Sequence, residues 1–124
     1  MLKKIFTLAA LFIFSNHLAL ADKHSKSVKT KVTKTFTITN KLVENAKVWI
    51  PEFKTVKAGE TIQLNLVNTL DAPHGFEVLG VAKAVIVPPK KTSTLNITVP
   101  KKDHLAFKCH MHPAHIGGVI KIEQ

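Results

Sequence analysis

From Val32 onward, apolar and polar positions alternate. Val32, Phe36 and Ile38 are interleaved with Thr33, Thr35, Thr37 and Thr39, the pattern of a half-buried strand rich in β-branched residues. Asn40-Lys41 then reads as a turn. Residues 48–50 and 53–56 are short strand pieces around Pro51, whose missing N–H suits an edge or a bend. After a turn at Lys57-Ala58-Gly59-Glu60, Ile62, Leu64 and Leu66 alternate with Gln63 and Asn65 in the clearest strand of the first half. A loop over 68–73 leads to His74-Gly75-Phe76, where Phe76 and Val78 begin another strand. Residues 84–87 run into Pro88-Pro89 and a lysine turn, and Leu95, Ile97 and Val99 then alternate with Asn96 and Thr98. Lys101-Lys102-Asp103 turns the chain into a strand of Leu105, Phe107 and Cys109, and residues 119–122 form the last one. Nothing here has a helical period of useful length. Short strands at intervals of roughly 8–12 residues, separated by turn signals, predict an all-β sandwich or barrel.

The start of the chain follows a different rule. Lys3 and Lys4 precede an apolar run over 5–14, and Ala19-Leu20-Ala21 is an A-x-A cleavage pattern, so residues 1–21 read as a secretory signal peptide. The run is too short to span a bilayer, and Ser15, Asn16 and His17 interrupt it. Residues 22–31, with Lys23, His24, Lys26, Lys29 and Lys31, read as a basic disordered tail. Residues 32–124 remain for one domain, long enough to close a single core. The expected location is the periplasm.

Charge narrows the partners. The formal net charge is +10, and all 18 basic side chains are Lys. Without Arg, the usual source of bidentate phosphate and base-edge contacts, and without Tyr, nucleic-acid binding is not expected. A lysine-rich surface keeps a domain soluble, steers a partner with an acidic docking surface, and lets the basic tail touch an anionic membrane face.

The chemistry concentrates near the C-terminus. Cys109, the single cysteine, is followed by His110, His112 and His115, with Pro113 and Gly117-Gly118 breaking regular structure around them. Packing alone does not explain such a cluster, because each buried imidazole needs its own partner. A thiolate with imidazoles at Cys-x2-His-x2-His spacing suits copper or zinc. An unpaired cysteine in an exported domain fits this reading, since a bound metal protects the thiolate from disulfide exchange. His74, at a loop-to-strand junction between Pro73 and Gly75, is the fourth candidate ligand. His110 directly follows Cys109 and is expected on the opposite side of the strand. Met111 suits adaptable packing, His104 a solvent-exposed turn, and Trp49 a packing anchor.

These features resemble the cupredoxins, small copper sandwiches with one mid-chain His and a Cys, His and usually Met on a loop between the last two strands. Within that family, Gly75-Phe76, Gly80-Val81 and the Cys109-His110-Met111-His112-Pro113-Ala114-His115 loop, in this order, are most similar to the nitrosocyanin-like branch. The resemblance spans residues 48–123. It implies a cupredoxin-like Greek-key β-sandwich holding one mononuclear copper, Cu(II)/Cu(I), through His74, Cys109, His112 and His115. It also implies electron transfer to a redox protein partner, or copper holding, rather than catalysis. Two departures stand out. His74 replaces the glutamate ligand of nitrosocyanin, and the stretch from His112 to His115 is two residues shorter. His115 then takes the usual place of Met, with Met111 as the other candidate for the fourth position. A small copper redox enzyme would need an open coordination position, and a Cys/His3 set also suits a closed zinc or structural site.

Overall fold

The computed structural model describes residues 30–124. The expected signal peptide and most of the basic tail lie outside the described residues. Among these residues nine strands follow one another: β1 (Lys34–Val43), β2 (Ala46–Pro51), β3 (Thr55–Lys57), β4 (Thr61–Asn68), β5 (His74–Val78), β6 (Val85–Val87), β7 (Thr92–Thr98), β8 (His104–Lys108) and β9 (Gly118–Glu123). Among the described residues there is no helix. The all-β expectation holds.

The strands form two sheets. One has the order β2-β1-β4-β7, the other β3-β9-β8-β5-β6. Pro51 ends β2, an edge strand, where a residue without an N–H costs no ladder bond. Between the sheets lies an apolar core. Ile38 from β1 and Ile62, Leu64 and Leu66 from β4 face Phe76, Leu105, Phe107 and Ile120 from the other sheet, all buried. Trp49 joins them from β2, edge-on to Phe76 at 5.2 Å, and Phe76 stacks on Phe107 at 5.4 Å. Such aromatic pairs contribute beyond the area they bury.

One sequence expectation fails. Asn40-Lys41 is not a turn, because β1 runs unbroken to Val43. The chain reverses instead at Glu44-Asn45, with φ of 48° and 68°, a two-residue connection whose twist matches the flanking strands. Asn40 continues the inward parity of Phe36 and Ile38, and its side chain is fully buried. In the parallel pairing of β1 with β4 it lies directly beside Asn68. Its Nδ2 donates to Asn68 Oδ1 at 3.1 Å, so the amide that usually favours turns is satisfied inside the sandwich.

The packing yields a stability test. Leu66→Ala empties a fully buried position in β4 and should cost about 2–5 kcal/mol. Val119→Ala, at a residue 65% exposed, should stay within ~0.5 kcal/mol. Urea unfolding midpoints of the two variants check the contrast.

Candidate metal centre

Two sheet-borne segments bring the site together. His74 opens β5 and Cys109 follows the last residue of β8. These strands pair antiparallel, with Glu77 opposite Lys108 and Val78 opposite Phe107. Continued along the chain, that register sets Gly75 against His110. A Cβ at Gly75 would run into the His110 ring, so glycine is what allows the approach. Gly75 also fixes the sulfur: its N–H donates to Cys109 Sγ at 3.3 Å. Trp49 Nε1 in turn donates to Gly75 O at 3.0 Å, so the packing anchor also holds the site's backbone.

The loop after Cys109 is pinned to the opposite sheet. Ile116 N–H donates to Lys47 O at 2.9 Å, and Trp49 N–H donates to Ile116 O at 3.3 Å. Within the loop, His115 N–H donates to His112 O at 3.0 Å. Gly117 is required at the loop's end, because a Cβ there would meet the Phe107 carbonyl.

This framework brings three of the four expected ligands together. The donor atoms of His74, Cys109 and His112 all lie within 4.8 Å of one another. Cys109 Sγ is 3.6 Å from His112 Nδ1. His74 is fully buried, yet among the described residues neither Nδ1 nor Nε2 has a hydrogen-bond partner. An unpartnered buried polar group is costly, and a cation at one nitrogen relieves the cost. Burial, then repulsion from His115, His112 and Lys47, lowers the His74 pKa from 6.5 to about 4. Near neutral pH the ring is therefore uncharged, the form in which imidazole binds metal. Thiolate and imidazole donors without a carboxylate fit copper or zinc, not magnesium or calcium. The residues fit the metal the sequence implies.

His115 stands beside this group rather than within it. Its ring is 5.2 Å from that of His74, and it is only 7% exposed. Nε2 is 2.8 Å from Asn40 Oδ1 and Nδ1 is 3.2 Å from Ile116 O. Burial lowers its pKa, and the contact with Ile116 works in the opposite direction. His110 is exposed and lies over Gly75, His104 is exposed at the start of β8, and Met111 is 37% exposed.

Sequence reasoning missed Asn40, Asn68 and Lys47. The two asparagines continue the inward runs 36-38-40 and 62-64-66-68, and that parity was the available signal. Lys47 lines two grooves flanking the site, one of about 330 Å³ with His112 and His115, the other of about 230 Å³ with His74. Nothing in its local sequence points there.

The lowered His74 pKa sets a pH dependence for the metal-free protein. Between 6.5 and about 4 the unfolded chain takes up a proton that the folded ring refuses. Stability from this group is therefore complete above 6.5 and is lost as pH falls to about 4. Denaturant midpoints should decline across that window, and His74→Ala should flatten the profile, leaving the part due to His115. An equal slope in the variant would assign the effect elsewhere.

Comparison with known proteins places this geometry. The sequence profile of the cupredoxin-like domain matches residues 4–121. No curated protein matches in sequence. Among solved structures, a variant of the multicopper oxidase McoA from the hyperthermophile Aquifex aeolicus matches with a TM-score of 0.58 and 16% identity over 73% of this chain. The match covers 29% of that oxidase, and at this identity it speaks for the fold. With two sheets closed as a sandwich and a profile that matches nearly its whole length, this chain belongs to the cupredoxin-like family.

Proposed function

We propose that this protein is an exported, periplasmic, single-copper protein that carries electrons or holds copper. The observation that carries the reading is His74: a buried imidazole with two unpartnered nitrogens, set beside a buried thiol and a second imidazole. Export rests on the leader pattern over 1–21. In motif order the chain resembles the nitrosocyanin-like branch.

Each residue has a distinct task in this reading. His74, Cys109 and His112 supply three donors, and His115 is the fourth through Nδ1, with Met111 its rival. Copper there provides a one-electron Cu(II)/Cu(I) couple, whose balance the surrounding protein tunes. The Gly75 N–H draws charge from the sulfur, and the buried wall around His74 keeps water away. His112 is the partly exposed member of the three-residue group and offers the electron path to the surface. Lys47 and the lysine-rich exterior steer an acidic redox partner toward that edge.

The groove beside His112 and His115 favours one second reading. A small molecule could reach the site there, as a copper redox enzyme with an open position requires. Spectral change on adding azide to the Cu(II) protein would favour it over the carrier. A closed zinc site, the third class, would be colourless.

Two measurements test the proposal. The protein should take up one equivalent of Cu(II) and develop a visible thiolate-to-copper band. Cys109→Ser should bleach that band while circular dichroism still reports a β-sandwich. Retained colour would remove Cys109 from the ligand set. His115→Met should raise the reduction potential, because imidazole favours Cu(II) over Cu(I) more than thioether does. A tenfold change in relative affinity corresponds to about 59 mV for one electron, so a shift of that order is expected in voltammetry. An unchanged potential would pass the fourth position to Met111 or to another donor.

A further inference from the structure

We infer that Asn68 and Asn40 form an amide relay that fixes His115 as its Nε2–H tautomer, leaving only Nδ1 with a lone pair for a metal. The part concerning the metal rests on the copper reading above; the relay itself does not.

The relay starts where the amide orientation is unambiguous. Asn68 Nδ2 lies 2.8 Å from Ala72 O, 3.1 Å from Val87 O and 3.2 Å from Pro88 O. Three carbonyls around one atom identify it as the NH2 group. The other end, Oδ1, accepts the Leu70 N–H at 3.0 Å. Asn40 Nδ2 then donates to the same Oδ1 at 3.1 Å. Reversing Asn40 would set oxygen against oxygen in a fully buried position. Asn40 Oδ1 must therefore face His115 Nε2, at 2.8 Å. An oxygen there requires a proton on the nitrogen.

A neutral imidazole has one ring proton, and His115 has two acceptors near it. The competitor is Ile116 O, 3.2 Å from Nδ1. That carbonyl already accepts the Trp49 N–H. Among the described residues, Asn40 Oδ1 has no donor other than His115. It is also the shorter contact, so the proton belongs at Nε2. Asn40 and Asn68 are positioning residues: they touch no metal but decide which nitrogen of His115 can.

Two-bond 1H–15N correlations of histidine rings in the metal-free, 15N-labelled protein read the tautomer directly. At neutral pH, His115 should carry its proton on Nε2. Asn40→Leu removes the acceptor and should move the proton to Nδ1, toward Ile116 O. Asn40→Gln keeps both an amide oxygen for His115 and an NH2 group for Asn68 Oδ1, and should retain the Nε2–H form. A wild-type ring protonated at Nδ1, or at both nitrogens, overturns the relay. So does a folded Asn40→Leu protein with an unmoved tautomer. Should Asn40→Leu not fold, the wild-type and Asn40→Gln spectra decide. Titration with Cu(II) gives the second arm: Asn40→Leu should bind about 10–100-fold more weakly, with Asn40→Gln closer to wild type. Equal affinity in folded wild-type and Asn40→Leu proteins overturns the link to the metal. A protein that takes up no copper but keeps Nε2–H on His115 supports the relay and refutes the copper reading.

Discussion

A buried polar group must find a partner, and one end of this sandwich buries four of them side by side: Asn40, Asn68, His74 and His115. The core cluster beside them is aliphatic and aromatic apart from Cys109. Stability alone does not ask for amides and imidazoles in that place. Partnering divides the four unequally. Among the described residues Asn68 reaches five protein groups through its side chain, Asn40 two, and His115 two, while His74 reaches none. The deficit is therefore concentrated on one ring, next to the only thiol.

That distribution separates rigidity from reactivity. Asn68 is held by the Ala72, Val87 and Pro88 carbonyls, Asn40 by Asn68, and His115 by Asn40 and the Ile116 carbonyl. Side chains fixed in this way keep their geometry whether or not a ligand is present, which lowers the cost of binding one. His74 gains its position from packing and from the start of β5, so both its nitrogens stay available. Cys109 stands between these cases. Its sulfur already accepts the Gly75 N–H, yet it lies within reach of two imidazoles.

Much of the fold was legible because alternation is a direct record of which side of a strand faces the core. Ile62, Leu64 and Leu66 gave β4, and Leu105 and Phe107 gave β8, since each inward side chain is apolar. Asn40 defeated the same reading. Composition favours asparagine in turns, but the parity of its position was inward, and tertiary partners outweighed local preference. The Cys/His loop was legible from residue type alone. That His74 joins Cys109 and His112 follows from the β5–β8 register, which no local pattern encodes. The place of Lys47 beside the site was illegible for a related reason: it comes from the β1–β2 hairpin, and only folding brings that hairpin to the loop.

The attachment of the loop to β2 has a mechanical meaning. Through Ile116, a segment whose ends belong to one sheet is hydrogen-bonded to the edge of the other, so it acts as a clasp across the mouth of the sandwich. Parting the sheets at that end breaks the hold of Lys47 and Trp49 on the loop that carries His112 and His115. An ion that binds only the closed arrangement would shift this opening by mass action. Backbone amides at the rim, in Trp49 and Ile116, would then exchange with solvent at rates that report ligand occupancy.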